Sequence, residues 1–180
     1  MTDKNFVTLF HATNELSAGE MLQDAMGLDL NDYQKIVAEI SARYGISEGT
    51  REKVFLRWTK GEDLNRGEYQ GGVSFWSTFE EAAPFAEVYA QSAGEWKGPL
   101  IRMLIKAHAR AIGVPFHSAA MQAIYTEVDR DFAGGSSPAV VVEVLIPISL
   151  VANKHRLGKG GEIYTNAKVP AQYIKQIHRI

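Results

Sequence analysis

Apolar residues recur at helical spacing in the first third of the chain. Ser17 and Glu20 have the spacing of a capping box, which predicts a short helix that begins there and ends near Gly27. A second helix, with a weaker cap signal at Asn31, and a third over residues 47–58 are predicted by their apolar faces. The face of the second helix consists of Tyr33, Ile36, Val37, Ile40 and Tyr44.

Runs rich in β-branched and other apolar residues predict strands elsewhere in the chain. These runs cover residues 6–11, 100–107, 139–146, 162–165 and 173–180. A short helix is predicted over 118–130, and a turn rich in glycine and serine follows it over 134–137. Short connections between such elements predict an α+β fold class built on a mostly antiparallel pair of sheets.

The segment over 72–85 combines an apolar strand with the start of a helix. Thr78 and Glu81 form a further capping box before an alanine-rich stretch. Pro84 lies too deep for a helix that begins directly after that cap, which predicts a later start or a bend. The polar, glycine-bearing stretch over 60–72 is predicted to be a loop that closes over a ligand.

Composition predicts one domain that spans residues 1–180. The chain is 46% hydrophobic and 22% charged, which is ordinary for a globular protein with a substantial core. A formal net charge of −2 removes any broad electrostatic case for binding nucleic acid or an anionic membrane. A local basic patch and a nucleic-acid substrate both stay open.

Several classes of chemistry lack their sequence signals. The chain has no cysteine, which removes disulfides, thiolate catalysis and cysteine–zinc sites. There is no HExxH motif or other metal-site spacing among its histidines, and no GxGxxG sequence follows a strand. The first residues carry no apolar signal core, and no run approaches the roughly 18 apolar residues of a membrane span. We therefore expect a cytoplasmic protein with no metal and no membrane partner.

Two residues next to predicted strands can carry chemistry. His11 lies at the end of the first strand, and Glu162 opens a late strand directly after Gly160 and Gly161. Taken singly, a histidine at a strand end is more often structural or exposed, and a glutamate at a strand start is usually a solvated residue. The order of a histidine strand, then the segment over 72–85, then a glutamate strand carries more information than either residue.

In that order the three pieces resemble the NAD-binding core of ADP-ribosyltransferases of the diphtheria toxin and poly(ADP-ribose) polymerase type. The resemblance implies a split antiparallel sheet core, here with helices inserted in the N-terminal half. It implies NAD as the substrate and no metal. Transfer of ADP-ribose breaks the bond between nicotinamide and ribose, through a transition state with oxocarbenium character on the sugar.

The resemblance also implies roles for particular residues. His11 would bind ribose together with Ala12 and Thr13, although those families usually have glycine where this chain has Ala12. Glu162 would be the catalytic carboxylate that bonds the ribose 2′-hydroxyl and stabilises positive charge on the sugar.

The middle segment would hold the nicotinamide. Gly72, Ser74 and Phe75 belong to the cofactor-binding strand, with Ser74 in place of the tyrosine of the usual His-Tyr-Glu set. Phe85 takes the position of the aromatic residue that stacks on the nicotinamide ring. The second wall would come from a neighbouring aromatic residue, for which the candidates are Tyr89, Tyr69 and Trp76.

The function implied is mono-ADP-ribosyl transfer from NAD to a macromolecular acceptor, either protein or nucleic acid. Gly160 replaces the second glutamate of the arginine-modifying branch, which disfavours arginine as the acceptor. Small size favours an intracellular toxin or effector, for which a neutralising antitoxin or immunity protein is the expected partner. Two alternatives stay open: an NAD glycohydrolase, and a non-catalytic module of the same fold that binds NAD or ADP-ribose.

Overall fold

Three long antiparallel strands form the main sheet. They are β1 (Phe6–Asn14), β4 (Ala139–Pro147) and β7 (Ile174–Arg179), and they lie in the order β1-β4-β7. The structure is a computed structural model that describes residues 5–59, 72–92, 97–134 and 137–180, without the side chains of Tyr89, Gln91 and Ser92. Residues 60–71 of the loop predicted over 60–72, and two residues of the predicted turn, Gly135 and Ser136, lie outside the described residues.

Four short strands form two further antiparallel pairs. β2 (Ala25–Met26) pairs with β6 (Val169–Pro170), and β3 (Ser74–Phe75) pairs with β5 (Ile163–Tyr164). A bridge between Phe10 of β1 and Trp76, just after β3, joins the β3–β5 pair to the edge of the main sheet. The predicted α+β class with antiparallel sheets is confirmed at this level.

Six helices lie in the described ranges. They are α1 (Glu15–Gln23), α2 (Leu30–Tyr44), α3 (Glu48–Thr59), α4 (Phe79–Ser92), α5 (Lys97–Ala111) and α6 (Ala119–Ala133). Residues of α2, α3, α5 and α6 form one apolar cluster, whereas the strands form a second cluster. Because α4 packs on β1 and β4 through Ala82 and Ala86, it lies beside the β3 end of the sheets.

The predicted strand over 100–107 is wrong, because this segment lies within α5. Its buried residues follow a helical repeat rather than an alternation of two. They are Leu100, Ile101, Leu104, Ile105 and His108, which share one face of the helix. The apolar composition of the run suits either element, and only the period distinguishes them.

Two predicted helix caps are also wrong. α1 begins at Glu15 with Asn14 as its N-cap, since the Asn14 side chain accepts a hydrogen bond from the backbone N–H of Ser17. α2 begins at Leu30 and is capped by Asp29, which forms a capping box with Asp32. In both cases the true cap precedes the residue that the sequence pattern indicated.

α4 begins directly after Thr78, as the capping pattern indicates, and it contains Pro84. Thr78 Oγ1 accepts the backbone N–H of Glu81 at 3.2 Å, while the Glu81 carboxylate accepts the N–H of Ser77 at 3.2 Å. Of the two predicted alternatives, the later start is wrong, and the bend stays a prediction: the helix runs through Pro84, which lacks the N–H that would bond to the preceding turn.

Candidate functional site

The β3–β5 pair places Ser74 between the two residues that carry candidate chemistry. His11 Nδ1 lies 2.7 Å from the carbonyl oxygen of Ser74. The hydroxyl of the same serine donates to Glu162 Oε1 at 2.6 Å. Residues that are far apart in the chain thus meet at one serine, through its backbone on one side and its side chain on the other.

The register of the strands explains this meeting. Phe10 and Trp76 exchange backbone hydrogen bonds of 3.0 and 2.8 Å, which brings the end of β3 against β1 next to His11. Ser74 is the cross-strand partner of Tyr164 in β5. Glu162 directly precedes β5, so the carboxylate reaches the serine from two residues along the neighbouring strand.

Gly160 and Gly161 direct the chain into β5. Both have positive φ values, 71° and 86°, which side chains with a Cβ rarely adopt. A Cβ at Gly160 would lie 3.2 Å from Glu81 Oε1, so the carboxylate of Glu81 lies against this glycine. The two glycines therefore allow a tight turn and a close approach by α4 immediately before Glu162.

The contact with Ser74 shows which ring nitrogen of His11 carries a hydrogen, and burial sets the charge of the ring. A carbonyl oxygen only accepts hydrogen bonds, so Nδ1 carries the hydrogen and donates it. Burial lowers the pKa of His11, and the hydrogen bond to Ser74 opposes that change only in part. The imidazole is therefore neutral near pH 7, and its Nε2 is a hydrogen-bond acceptor.

Two hydroxyl groups hold the Glu162 carboxylate. Ser74 donates to Oε1, and the hydroxyl of Tyr164 donates to Oε2. The side chain of Asn153 holds the backbone of both Glu162 and Tyr164. It donates to the Glu162 carbonyl at 3.0 Å and accepts the N–H of Tyr164 at 2.8 Å. Such contacts orient a carboxylate before any ligand binds.

A stacked aromatic pair lies beside the carboxylate. The rings of Trp76 and Phe85 are 4.6 Å apart and inclined by 21°. Trp76 is buried, whereas 43% of Phe85 is exposed. Together with Pro84 and three carboxylates these rings line a pocket of about 490 Å³, the aromatic pocket, and the carboxylates are Glu80, Glu81 and Glu162.

A second, larger cavity is lined by Ser74. This groove has a volume of about 550 Å³ and is lined at one end by His11, Ala12, Thr13, Gly72 and Ser74. α1, α2 and the end of α6 supply most of its remaining walls. Glu162 therefore lines the aromatic pocket and His11 lines the groove, and Ser74, which lines the groove, is hydrogen-bonded to both residues.

Most charges in the groove are already paired. Glu20 bonds to Lys97 at 2.7 Å, Asp131 to Arg43 at 2.7 Å, and Asp32 to Lys168 at 2.5 Å. Lys35 also lines the groove, and within the described ranges no carboxylate pairs with it.

Several sequence-predicted site residues lie together, while Phe75 does not reach either cavity. His11, Ala12, Thr13, Gly72 and Ser74 line the groove, and Phe85 and Glu162 line the aromatic pocket. Phe75 is fully buried, with its ring 5.7 Å from the His11 ring, so it supports the imidazole as a core residue. The Tyr89 side chain and the whole of Tyr69 lie outside the described residues, and Trp76 is the neighbour that stacks on Phe85.

Sequence reasoning missed Tyr164, Asn153 and Glu81 as members of the site. A signal for Tyr164 was present, since residues 162 and 164 of an extended segment share a face. Asn153 and Glu81 come from other elements, and only the folded chain brings them to β5. Glu81 belongs to the capping box with Thr78, which indicates a helix start and not a site, and Tyr164 and Asn153 belong to no motif.

Within the parts of the chain that the structure covers, no three histidine, aspartate or glutamate side chains are grouped so as to hold a metal ion. The described helices include none with the length and apolar character needed to cross a bilayer. Comparisons of the chain with protein-family models, with curated proteins and with solved structures found no match.

Proposed function

We propose that this protein is a mono-ADP-ribosyltransferase that uses NAD and has the split antiparallel core of that family. The observation that carries the proposal is the convergence of His11 and Glu162 on Ser74. The reaction needs one group that binds ribose and one carboxylate beside the sugar, held in fixed relative positions. A single serine bonded to both meets that need.

Glu162 has the chemistry for the transition state. Cleavage of the bond between nicotinamide and ribose leaves positive charge on the sugar, and an oriented carboxylate stabilises that charge. The donors on its two oxygens fix the orientation in advance. Each carboxylate oxygen retains a lone pair, which can accept the 2′-hydroxyl of the ribose.

The aromatic pocket suits the nicotinamide ring of NAD. In the oxidised cofactor this ring is a flat cation, so it is attracted both to the face of an aromatic ring and to carboxylates. The exposed ring of Phe85, backed by Trp76, supplies the face. Glu80 and Glu81 supply negative charge next to Glu162.

The groove suits the remainder of the dinucleotide. The Nε2 atom of neutral His11 accepts a ribose hydroxyl, and Lys35 offers a cation to the diphosphate. The cations proposed from sequence on α3, such as Arg51 and Arg57, do not line the groove. Ala12 lines it beside His11, where glycine is usual in the family.

The acceptor is a macromolecule, protein or nucleic acid. Gly160 alone argued against arginine, but the Glu81 carboxylate lies against this glycine from α4. A carboxylate is therefore present near that position even though residue 160 has no side chain. The argument against an arginine acceptor therefore loses its basis. The test below includes both protein and nucleic acid as acceptors.

The test is incubation of the protein with NAD labelled in the adenylate group, in the presence of a cell lysate as the acceptor source. Release of nicotinamide together with labelled polymer is the expected result. Release of nicotinamide without labelled polymer would favour the glycohydrolase. If neither nicotinamide nor labelled polymer forms, the result would favour the non-catalytic binding module. Digestion of the labelled polymer with protease or nuclease then identifies the acceptor class.

A further inference from the structure

Tyr164 shares a sheet face with Ser74 and Glu162. Ser74 and Tyr164 are directly opposite each other in the β3–β5 pair, and Glu162 precedes Tyr164 by two residues. Side chains at positions i and i+2 of an extended chain point to the same side, as do those of cross-strand partners. The three side chains therefore meet above one face.

The hydroxyls of Ser74 and Tyr164 bond to different oxygens of the Glu162 carboxylate. Ser74 donates to Oε1 at 2.6 Å, and Tyr164 donates to Oε2. An ionised carboxylate only accepts hydrogen bonds, so both hydroxyls must be donors. With one donor on each oxygen, rotation of the carboxylate about its terminal bond breaks at least one charge-assisted bond.

The backbone of Tyr164 is held as firmly as its side chain. The Asn153 side chain accepts the N–H of Tyr164 at 2.8 Å, and the Tyr164 carbonyl accepts the N–H of Ala152 at 2.7 Å. Asn153 also donates to the Glu162 carbonyl at 3.0 Å, so one amide side chain bonds to both residues as a neighbouring strand would. The phenol is thereby fixed relative to the carboxylate.

We infer that Tyr164 is a positioning residue that sets the orientation of the Glu162 carboxylate for the chemical step. Tyr164 lines neither the groove nor the aromatic pocket, so it acts on the reaction through Glu162 rather than by touching the substrate. The inference rests on the proposed function, because it assigns Glu162 the work of stabilising the sugar cation. Such an orienting contact contributes to kcat more than to KM.

The variant Tyr164→Phe removes the hydroxyl and keeps the ring. We expect kcat for nicotinamide release to fall about 10- to 100-fold, the usual effect of losing one hydrogen bond to a charged group, with KM within about twofold. Tyr173→Phe is the matched control: it makes the same change in another partly buried tyrosine, which lines neither the groove nor the aromatic pocket. Its kcat should equal that of the wild type.

Two further measurements separate positioning from a structural role. In a Glu162→Gln background, addition of Tyr164→Phe should have little further effect on kcat, because the group being oriented is already gone. Incorporation of 3-fluorotyrosine at position 164, which keeps the donor, should retain kcat within about twofold. Thermal midpoints of all variants show whether any loss reflects unfolding.

A wild-type kcat in Tyr164→Phe, or an equal loss in both backgrounds, would overturn the inference, while release of nicotinamide together with labelled polymer by the wild-type protein leaves the proposed function standing. Absence of nicotinamide release by the wild-type protein would refute the proposed function itself, and the role of Tyr164 with it.

Discussion

Ser74 connects His11 to Glu162 through two different groups. Its backbone carbonyl accepts from the imidazole, and its hydroxyl donates to the carboxylate. A tyrosine at this position would provide an aromatic face, whereas serine provides a short donor that reaches the carboxylate directly. The aromatic face is supplied instead by Trp76 stacked on Phe85.

His11→Asn tests the role of the imidazole. The asparagine amide can keep the donor to the Ser74 carbonyl, but it loses the acceptor at Nε2. Loss of one hydrogen bond to a ribose hydroxyl should raise KM for NAD about tenfold, with a smaller change in kcat. The control is His117→Asn at an exposed position, which should leave KM unchanged. Equal KM values in the two variants would refute the assignment of His11.

The stability of the fold should depend on pH through His11. Burial lowers its pKa in the folded protein, so below the ordinary value of about 6.5 the unfolded chain binds a proton more readily. The contribution of His11 to the free energy of unfolding is complete above about pH 6.5. It is lost as the pH falls from there towards the lowered pKa of the folded state. Urea titrations between pH 8 and 5 should show a flatter pH profile for His11→Asn than for the wild type. Parallel profiles would contradict the burial of this group.

Sequence patterns identified most single residues of the site but not their partners. His11, Ser74, Phe85 and Glu162 follow from the order of three local segments. The donor on Oε2, Tyr164, depends on which side chains share a face of β5, and that register is set by the β3–β5 pairing. Phe75 was predicted at the cofactor but is buried, because strand residues alternate between the two faces.

At the scale of elements, Asn14 joins the end of β1 to two helices. Its side chain accepts the N–H of Ser17 at 2.9 Å as the N-cap of α1, and it donates to the carbonyl of Ala133 at the end of α6 at 3.1 Å. Asn14 is fully buried, so neither partner has water as a substitute. This residue holds α1 and α6 at the margin of the groove.

Asn14→Ala should lower the free energy of unfolding by about 1–3 kcal/mol, because it removes a cap and leaves a buried carbonyl without its donor. Urea unfolding followed by circular dichroism measures this loss. The control is Asn31→Ala, at the exposed position that the sequence pattern indicated as a cap, where we expect less than about 0.5 kcal/mol. Similar losses at the two positions would contradict the observed capping.

Several elements follow from local sequence, whether from an apolar face or from β-branched composition. The helices over 47–58 and 118–130 and the strand over 139–146 are confirmed to within a few residues. The run over 100–107 failed because its isoleucines and leucines suit a strand by composition, although its polar residues Arg102 and Lys106 are four apart, as on the outer face of a helix. Burial of the opposite face decides the outcome.

At the scale of the whole molecule, the site lies where the β3–β5 pair meets the main sheet. β1 contributes His11, β3 contributes Ser74, and the turn before β5 contributes Glu162. α4 contributes Phe85 and Glu81 from the side, while α1, α2 and α6 close the groove. The chain order of the motifs predicts this set, but the distances depend on long-range pairings that no local pattern contains.

The measurement that bears most directly on this account is the initial rate of nicotinamide release from NAD by the wild-type protein and by Glu162→Gln. Glutamine keeps the size of the side chain and removes its charge, so we expect a loss of about 10²–10³-fold in kcat with the thermal midpoint retained. Glu52→Gln, at an exposed position of α3, should match the wild type. Equal rates for Glu162→Gln and the wild type would contradict the account.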